Sequence, residues 1–330
     1  MIPASSARSP RTGVLCAGAL VLDTLVRPVE ALKWGTTTLV DTVESRVGGS
    51  AANTGRALAI LGVPVRVVAS LGPDDSATVI RKEMTRCAVD ISCVEAVSES
   101  TAQTIVLINS AGDRQFLHRS GCSDTAFSNG LSFTPELVRG MGHFHLASLF
   151  VVPHLRREAP SMLRAAREAG LTTSMDTCWD PKGEWMNVLD PCLPELDILF
   201  MNEDEAMQIA AGKSLPTMAR TILEQGTRAI VLKRGREGCS VFTSSDEITC
   251  PAYEVDVQDT TGAGDCFVAG FLAAHLEGAS PERAGHTGNA AGALGVQCIG
   301  AIEGLLPRPK FDEWMARTPR RSMSPDLPTR

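Results

Sequence analysis

The sequence has no Cys-x-x-Cys pair, and nowhere does it gather its ten cysteines with its six histidines. Thiols spread singly argue against a disulfide framework or a structural metal, and they suit a reducing compartment. A basic stripe is missing too. Lys and Arg number 31 against 38 Asp and Glu, giving a net charge of -7 and a pI near 5.5. That balance disfavours nucleic acid and anionic membrane as partners, because both are held mainly by phosphate attraction to basic surface. No apolar run is long enough for a signal h-region or a membrane span, so the expected localisation is cytoplasmic. Two nucleotide motifs are also incomplete. Gly212-Lys213-Ser214 would end a P-loop, but Met207 stands where its first glycine belongs. Gly262-x-Gly264 would need a third glycine at Phe267 to make a dinucleotide fingerprint.

What is present fits one large enzyme domain. With 330 residues, 44% of them hydrophobic and 21% charged, the chain can bury a full core without staples. Runs of strand and helix character alternate along it. Val14–Leu22 reads as one continuous buried parallel strand, ending at Asp23. An Asp beyond the carboxyl end of such a strand serves either as a turn residue or as a ligand for hydroxyl groups. Gly48 and Gly49 open an Ala-rich helix that Gly62 ends, with Asn53 one turn inside. Residues 27–46 and 101–119 lack helical periodicity and are rich in β-branched residues. Within the second, Thr104–Ile108, a turn at Asn109–Asp113 and Gln115–His118 form a hairpin pattern. His143–Ser148 is a further strand, in which His145 is expected as a hydrogen-bonded core residue.

The stretch Asp259–Asp265 organises the rest. It runs straight into Cys266–Ala274, apolar on every side and therefore a buried helix, with a natural stop at Gly278. A buried helix that opens with Gly262-Ala263-Gly264 aims free N–H groups and the positive end of its dipole at whatever lies in front. Anionic phosphate oxygens suit that place. Asp265 adds a carboxylate at its edge, which is either a cap on a Gly-rich turn or a base for a hydroxyl attacking a phosphoryl group.

Asp259–Asp265 with the helix after it resembles the second signature of the ribokinase-like (PfkB) family of carbohydrate kinases, and Gly48–Ala59 resembles the first. The resemblance spans about residues 14–307. It implies a three-layer α/β/α ribokinase-like fold with a mostly parallel central sheet and a small β lid. One kinase domain would occupy residues 13–317, with its lid from 27–46 and 101–119 and flexible tails at 1–12 and 318–330. The implied reaction is ATP-dependent phosphorylation of a sugar hydroxyl, with Asp265 as general base and Gly262, Ala263 and Gly264 completing the anion hole. Asp23, Gly48, Gly49 and Asn53 would bind the sugar. On the nucleotide side, Asn202 and Glu205 match the family's Asn-x-x-Glu motif and would hold Mg2+ through water. Lys233, Gly235 and Gly238 would lie near the ATP phosphates and Asn289 near adenine. The turn at Cys298–Ala301, with Asp259 and Thr261, resembles a monovalent cation site, which would take K+. Edge strands of the lid would let two copies pair as a homodimer.

One departure bears on the substrate. Asp176–Asp180, followed by Trp185, resembles the pattern Asp-x-Asn-x-Arg leading to Trp, but Cys178 and Asp180 replace the Asn and Arg. That weakens any transfer of an acid or keto sugar to this chain. Two further readings stay open. A nucleoside kinase of the same fold would have only Trp34 and Phe116 in the lid stretches for stacking a base. A non-catalytic sugar sensor would have no need of Asp265 and Glu205.

Overall fold

The computed structural model describes residues 11–322. The first apolar run is not one strand. β1 (Gly13–Ala17) joins a large sheet, the chain breaks at Gly18, and β2 (Val21–Arg27) starts a separate small sheet with β3 (Thr42–Gly48). The break has a steric cause. At Gly18 a Cβ would come within 2.8 Å of the Ala147 carbonyl oxygen, so the chain turns there through a position only glycine fills.

α1 (Ser50–Ile60) leads back to the large sheet as β4 (Val65–Leu71), and α2 (Asp75–Arg86) leads on to β5 (Asp90–Ala96). β6 (Ala102–Ile108) and β7 (Arg114–Arg119) then complete the small sheet, on the predicted hairpin. Strands and helices alternate afterwards: β8 (Met141–Leu146), α3 (Leu155–Glu168), β9 (Thr172–Asp176), α4 (Met186–Leu189), β10 (Ile198–Asn202), α5 (Glu203–Ala210), α6 (Leu215–Glu224) and β11 (Ala229–Lys233). β12 (Cys239–Thr243) and β13 (Glu247–Cys250) precede three final helices, α7 (Ala263–Leu276), α8 (Pro281–Gly295) and α9 (Arg308–Arg317).

The large sheet has the order β13-β12-β11-β10-β9-β8-β1-β4-β5 and the small one β3-β2-β6-β7. In the large sheet β12 runs antiparallel to both of its neighbours, and the other pairings are parallel. Successive strand residues point to opposite faces and so feed two cores. Val14, Phe200 and Val231 pack with α1, α2, α7 and α8, whereas Leu15, Leu199 and Ile230 pack with α3, α5 and α6. The result is the expected three-layer arrangement with a small sheet beside it. α7 is buried all round from Cys266 to Ala274, as its composition requires. α8 lies close against it, since a Cβ on Gly270 would meet the Thr287 carbonyl oxygen at 2.6 Å.

Two boundaries shift. The lid begins at Val21, earlier than residue 27, and residues 28–41 are a strandless connection in which Trp34 stands fully exposed. At the other end, residues 319–321 are tied to the domain. The Glu254 N–H donates to the Pro319 carbonyl at 3.0 Å and the Arg321 N–H to that of Ala252 at 2.8 Å. The rest of the expected tails, 1–10 and 323–330, lies outside the described residues. Among the described residues, no helix is long and apolar enough to cross a membrane.

Candidate active site

The helix start at Gly262 is the place where the sequence puts an anion hole. Gly262 has φ +69° and its Cβ would fall 2.4 Å from the Ala301 carbonyl oxygen, so only glycine lets the loop before α7 sit against the 298–301 turn. No side chain caps the helix. The Ala263 N–H turns back to the Thr260 carbonyl at 3.3 Å, leaving those of Gly264 and Asp265 to meet a ligand. Of the three N–H groups expected at the helix start, that of Ala263 is turned away from the opening.

Asp265 is hydrogen-bonded by the Asn53 side-chain Nδ2 at 2.8 Å. Burial pushes its carboxyl up to about 7, with the charge of Asp176 adding to the rise and Asn53 and Lys233 opposing it. Asn53 is itself 5% exposed and its Oδ1 has no hydrogen-bond partner. A buried acceptor left over beside a carboxylate is a place for a hydroxyl donor.

Asp23 lies in the middle of β2, not beyond the end of a large-sheet strand as expected. It faces Arg46 across β3 and Thr104 across β6, and Thr104 faces His118 across β7. Residues opposite one another share a face, so Asp23, Arg46, Thr104 and His118 form one side of the small sheet, with Phe116 and Arg114 further along it. Burial raises the Asp23 carboxyl to about 6 against a lowering hydrogen bond from Thr104. Gly48 makes room for it: a Cβ there would stand 1.9 Å from Asp23 Oδ2. Gly49 follows as the N-cap of α1, bringing Asn53 round to Asp265.

A cavity of about 330 Å³ borders the same helix start, lined by Asn202, Lys233, Gly235, Gly238, Gly264 and Asn289 among others. The remaining lining includes Val255, Val257, Phe267 and Val296, an apolar wall suited to a flat ring. Lys233 reaches from the end of β11 to both carboxylate oxygens of Asp176, at 2.6 and 2.8 Å. Burial works against its ammonium, but Asp176, Glu205 and Asp265 outweigh that and raise it. Asn289 gives its Nδ2 to the carbonyls of Cys250 and Pro251, pinning the end of β13 while it lines the cavity.

Asn202 and Glu205 close a capping box. Asn202 Oδ1 accepts from the Glu205 N–H at 2.8 Å, and Glu205 Oε2 accepts from the Asn202 N–H at 2.9 Å and from Thr177 Oγ1 at 2.8 Å. Burial raises the Glu205 carboxyl, opposed by Lys233. Asp259 and Thr261 are also brought together. Asp259 accepts from the Thr261 and Gly300 N–H groups, at 2.7 and 3.0 Å. The group lying on both side chains is the Arg114 guanidinium from β7, 2.5 Å from Asp259 Oδ1 and also bonded to Thr261 Oγ1.

The replaced pattern after β9 has a structural use. Asp180 is fully buried, pairs with Arg156 at 2.8 Å and accepts from the N–H groups of Lys182, Glu184 and Trp185. His145 is a core residue as expected, bonded to Ser174 Oγ at 2.8 Å and pushed down to about 3 by burial. Sequence reasoning missed Thr104, Arg114 and Asp176 as members of the site. Only Asp176 had a signal, a carboxylate ending a buried strand.

The pfkB family carbohydrate kinase model matches residues 11–308 of the chain. The ATP-dependent ribose-1-phosphate kinase of Halopiger xanaduensis is 31% identical over 250 residues, 75% of this chain and 79% of that protein. The 2-dehydro-3-deoxygluconokinase of Bacillus subtilis is 26% identical over 289 residues, covering 84% and 89%. Among solved structures, Arabidopsis thaliana ribokinase complexed with ribose and ATP matches with a TM-score of 0.77 and 25% identity, covering 92% of this chain and 98% of that one. The Methanocaldococcus jannaschii nucleoside kinase, at 22% identity, is alike in fold, with a TM-score of 0.79 over 93% and 98%.

Proposed function

The chain belongs to the pfkB family of carbohydrate kinases, and from that premise we propose that Asp265 is the base for ATP-dependent phosphorylation of a sugar hydroxyl. The observation that carries this reading is the junction at the start of α7. There Gly264 lines the cavity together with Lys233, and the next residue, Asp265, is held from α1 by Asn53. A phosphoryl donor and a hydroxyl acceptor thus approach one helix end from two directions.

In this mechanism Asp23 and Asn53 hold the sugar, and the Asn53 Oδ1 accepts from one of its hydroxyl groups. Asp265 takes the proton of the attacking hydroxyl as the new O–P bond forms, and its raised proton affinity suits a base working near neutral pH. The N–H groups of Gly264 and Asp265 stabilise the transferring phosphoryl oxygens, and Lys233 offsets triphosphate charge. The amide oxygen of Asn202, which lines the cavity, and the carboxylate of Glu205 beside it are a pair of oxygen donors. Oxygen donors of this kind suit a hard cation such as Mg2+ held through its waters. When bound with ATP, that ion neutralises the phosphates. The small sheet would act as a lid that keeps water from the phosphoryl group.

The nucleoside alternative has less support, because Trp34 lies outside the site and Phe116 alone stands on its face. Asp180 stands where the resembled pattern has its arginine and is itself paired with Arg156, so that position offers a sugar acid no cation. A sensor would not require a base poised at the anion hole. Assembly is proposed through the lid's outer face, on which exposed Val43, Ile105 and Leu117 all stand and which a second copy would cover. The test of function is ADP release across sugars, sugar phosphates and nucleosides. Turnover confined to nucleosides would overturn the sugar reading, and none with any acceptor would favour the sensor.

A further inference from the structure

Asp259 is 3% exposed and sits at the entrance to the anion hole, where an uncompensated carboxylate would be costly. Its partners are all supplied by this chain. Oδ1 takes the Thr261 N–H and an Arg114 Nη2, and Oδ2 takes the Gly300 N–H. Arg114 Nη1 donates to Thr261 Oγ1, and Nε has no protein partner. Arg114 is the first residue of β7, paired with Ile108 across the hairpin, so a strand of the lid contributes the charge. Its guanidinium spans 145 residues of sequence to reach the loop three residues before Gly262.

We propose that Arg114 is a positioning residue that docks the lid onto the loop leading into α7 and supplies from within the chain the positive charge this loop requires. The loop and the lid are then ordered together, and a dissolved monovalent cation is not needed at Asp259 and Thr261. A guanidinium suits the task because it is always charged and holds its N–H donors in a fixed fork, of which Nη1 and Nη2 are used here. An ion would have to displace both of those donors to reach the same oxygens. The inference rests on the reading of Gly262–Asp265 as the anion hole.

The experiment measures turnover and calorimetric nucleotide affinity at constant ionic strength in choline, sodium and potassium chloride, for wild type and Arg114→Gln. Wild-type turnover is expected to differ by less than about twofold between choline and potassium. Arg114→Gln is expected to lose at least about tenfold in choline and to recover most of it with potassium or with added methylguanidinium, which restore the missing charge. Nucleotide affinity should follow the same pattern. Wild type stimulated tenfold or more by potassium would overturn the proposal without any variant. So would an Arg114→Gln enzyme unaffected in choline, or one whose loss neither cation repairs. Failure of the kinase reading looks different: no ADP release by wild type in any salt.

Discussion

Asn53 donates its side-chain Nδ2 to Asp265 Oδ2 at 2.8 Å, joining the first turns of α1 and α7 across 212 residues of sequence. The bond opposes the rise that burial imposes on the Asp265 carboxyl, which settles at about 7. Since the base acts when deprotonated, kcat/KM should climb with pH and level off above about 7. In Asn53→Leu the stabilising donor is gone. A hydrogen bond to a charged group contributes about 1.5–3 kcal/mol, so the inflection should move up by about one to two pH units. A wild-type profile flat from acid to neutral pH would dissociate Asp265 from the rate.

The same shift has a consequence for stability. The folded Asp265 carboxyl lies above its ordinary 3.8, so the folded state holds the proton more tightly than the unfolded one. Its contribution is fully present below the ordinary value and is lost as pH rises through about 7. Asp265→Asn should therefore melt higher than wild type at pH 8, with the difference vanishing toward pH 4. Melting curves at the two pH values test it, and an equal gap at both would mean that the gain is not electrostatic.

Asp23 and Gly48 should matter to the sugar and not to the nucleotide. Removing a carboxylate that accepts from a sugar hydroxyl costs about 1–3 kcal/mol of binding. Gly48→Ala should act in the same direction, because its Cβ would stand 1.9 Å from Asp23 Oδ2 and push that carboxylate away. Calorimetry with sugar and with nucleotide separates the two sites. Normal sugar affinity in Asp23→Ala would remove the small sheet from substrate binding.

Residues whose role depends on local backbone were legible from the sequence. Gly262 and Gly49, the N-caps of α7 and α1 with φ +69° and +90°, announce glycine-only helix entries by their type alone, and the apolar run after Asp265 could only be a buried helix. The small sheet's hairpin was legible too, from its turn at Asn109–Asp113. Val14–Leu22 misled because a buried strand of the large sheet and the start of a lid strand are equally apolar. The break at Gly18 depends on the Ala147 carbonyl, 129 residues away. Arg114 gave no signal at all. An arginine in an exposed hairpin looks like solvent-facing charge until the fold brings Asp259 beneath it, and the pairing of Lys233 with Asp176 is hidden for the same reason.

That Lys233–Asp176 pair offers a stability test. Lys233 lies among three carboxylates, those of Asp176, Glu205 and Asp265, and removing one partner of a buried pair costs about 3–5 kcal/mol. Lys233→Met should lose that much in urea unfolding, and Asp176→Asn added to it should recover part, since the stranded charge is then removed. Nucleotide affinity should stay low in both, because the phosphate-facing charge is absent from each. A double variant that regains nucleotide binding would show that Lys233 acts on Asp176 alone.

Asp265→Asn tests the chemistry itself. The substitution preserves shape and removes both charge and basicity at the one acidic residue of α7, while the N–H groups of the helix start stay in place. Loss of general-base help slows turnover by about 10²- to 10⁴-fold, or roughly 3–5 kcal/mol of barrier. Nucleotide binding should survive or tighten, because a negative charge next to the transferring phosphate has gone. A residue that served Mg2+ would behave in the opposite way, weakening nucleotide binding and responding to added metal. Asn53 supplies an internal control: its Nδ2 can donate to the new amide oxygen as it did to the carboxylate, so the architecture around the site is retained. Turnover at saturating sugar, with nucleotide affinity by calorimetry, therefore reads the proton transfer and little else. A variant within about threefold of wild type falls far short of the loss that base catalysis requires, and Asp265 would then have to be reassigned from proton acceptor to a residue that only orients Asn53.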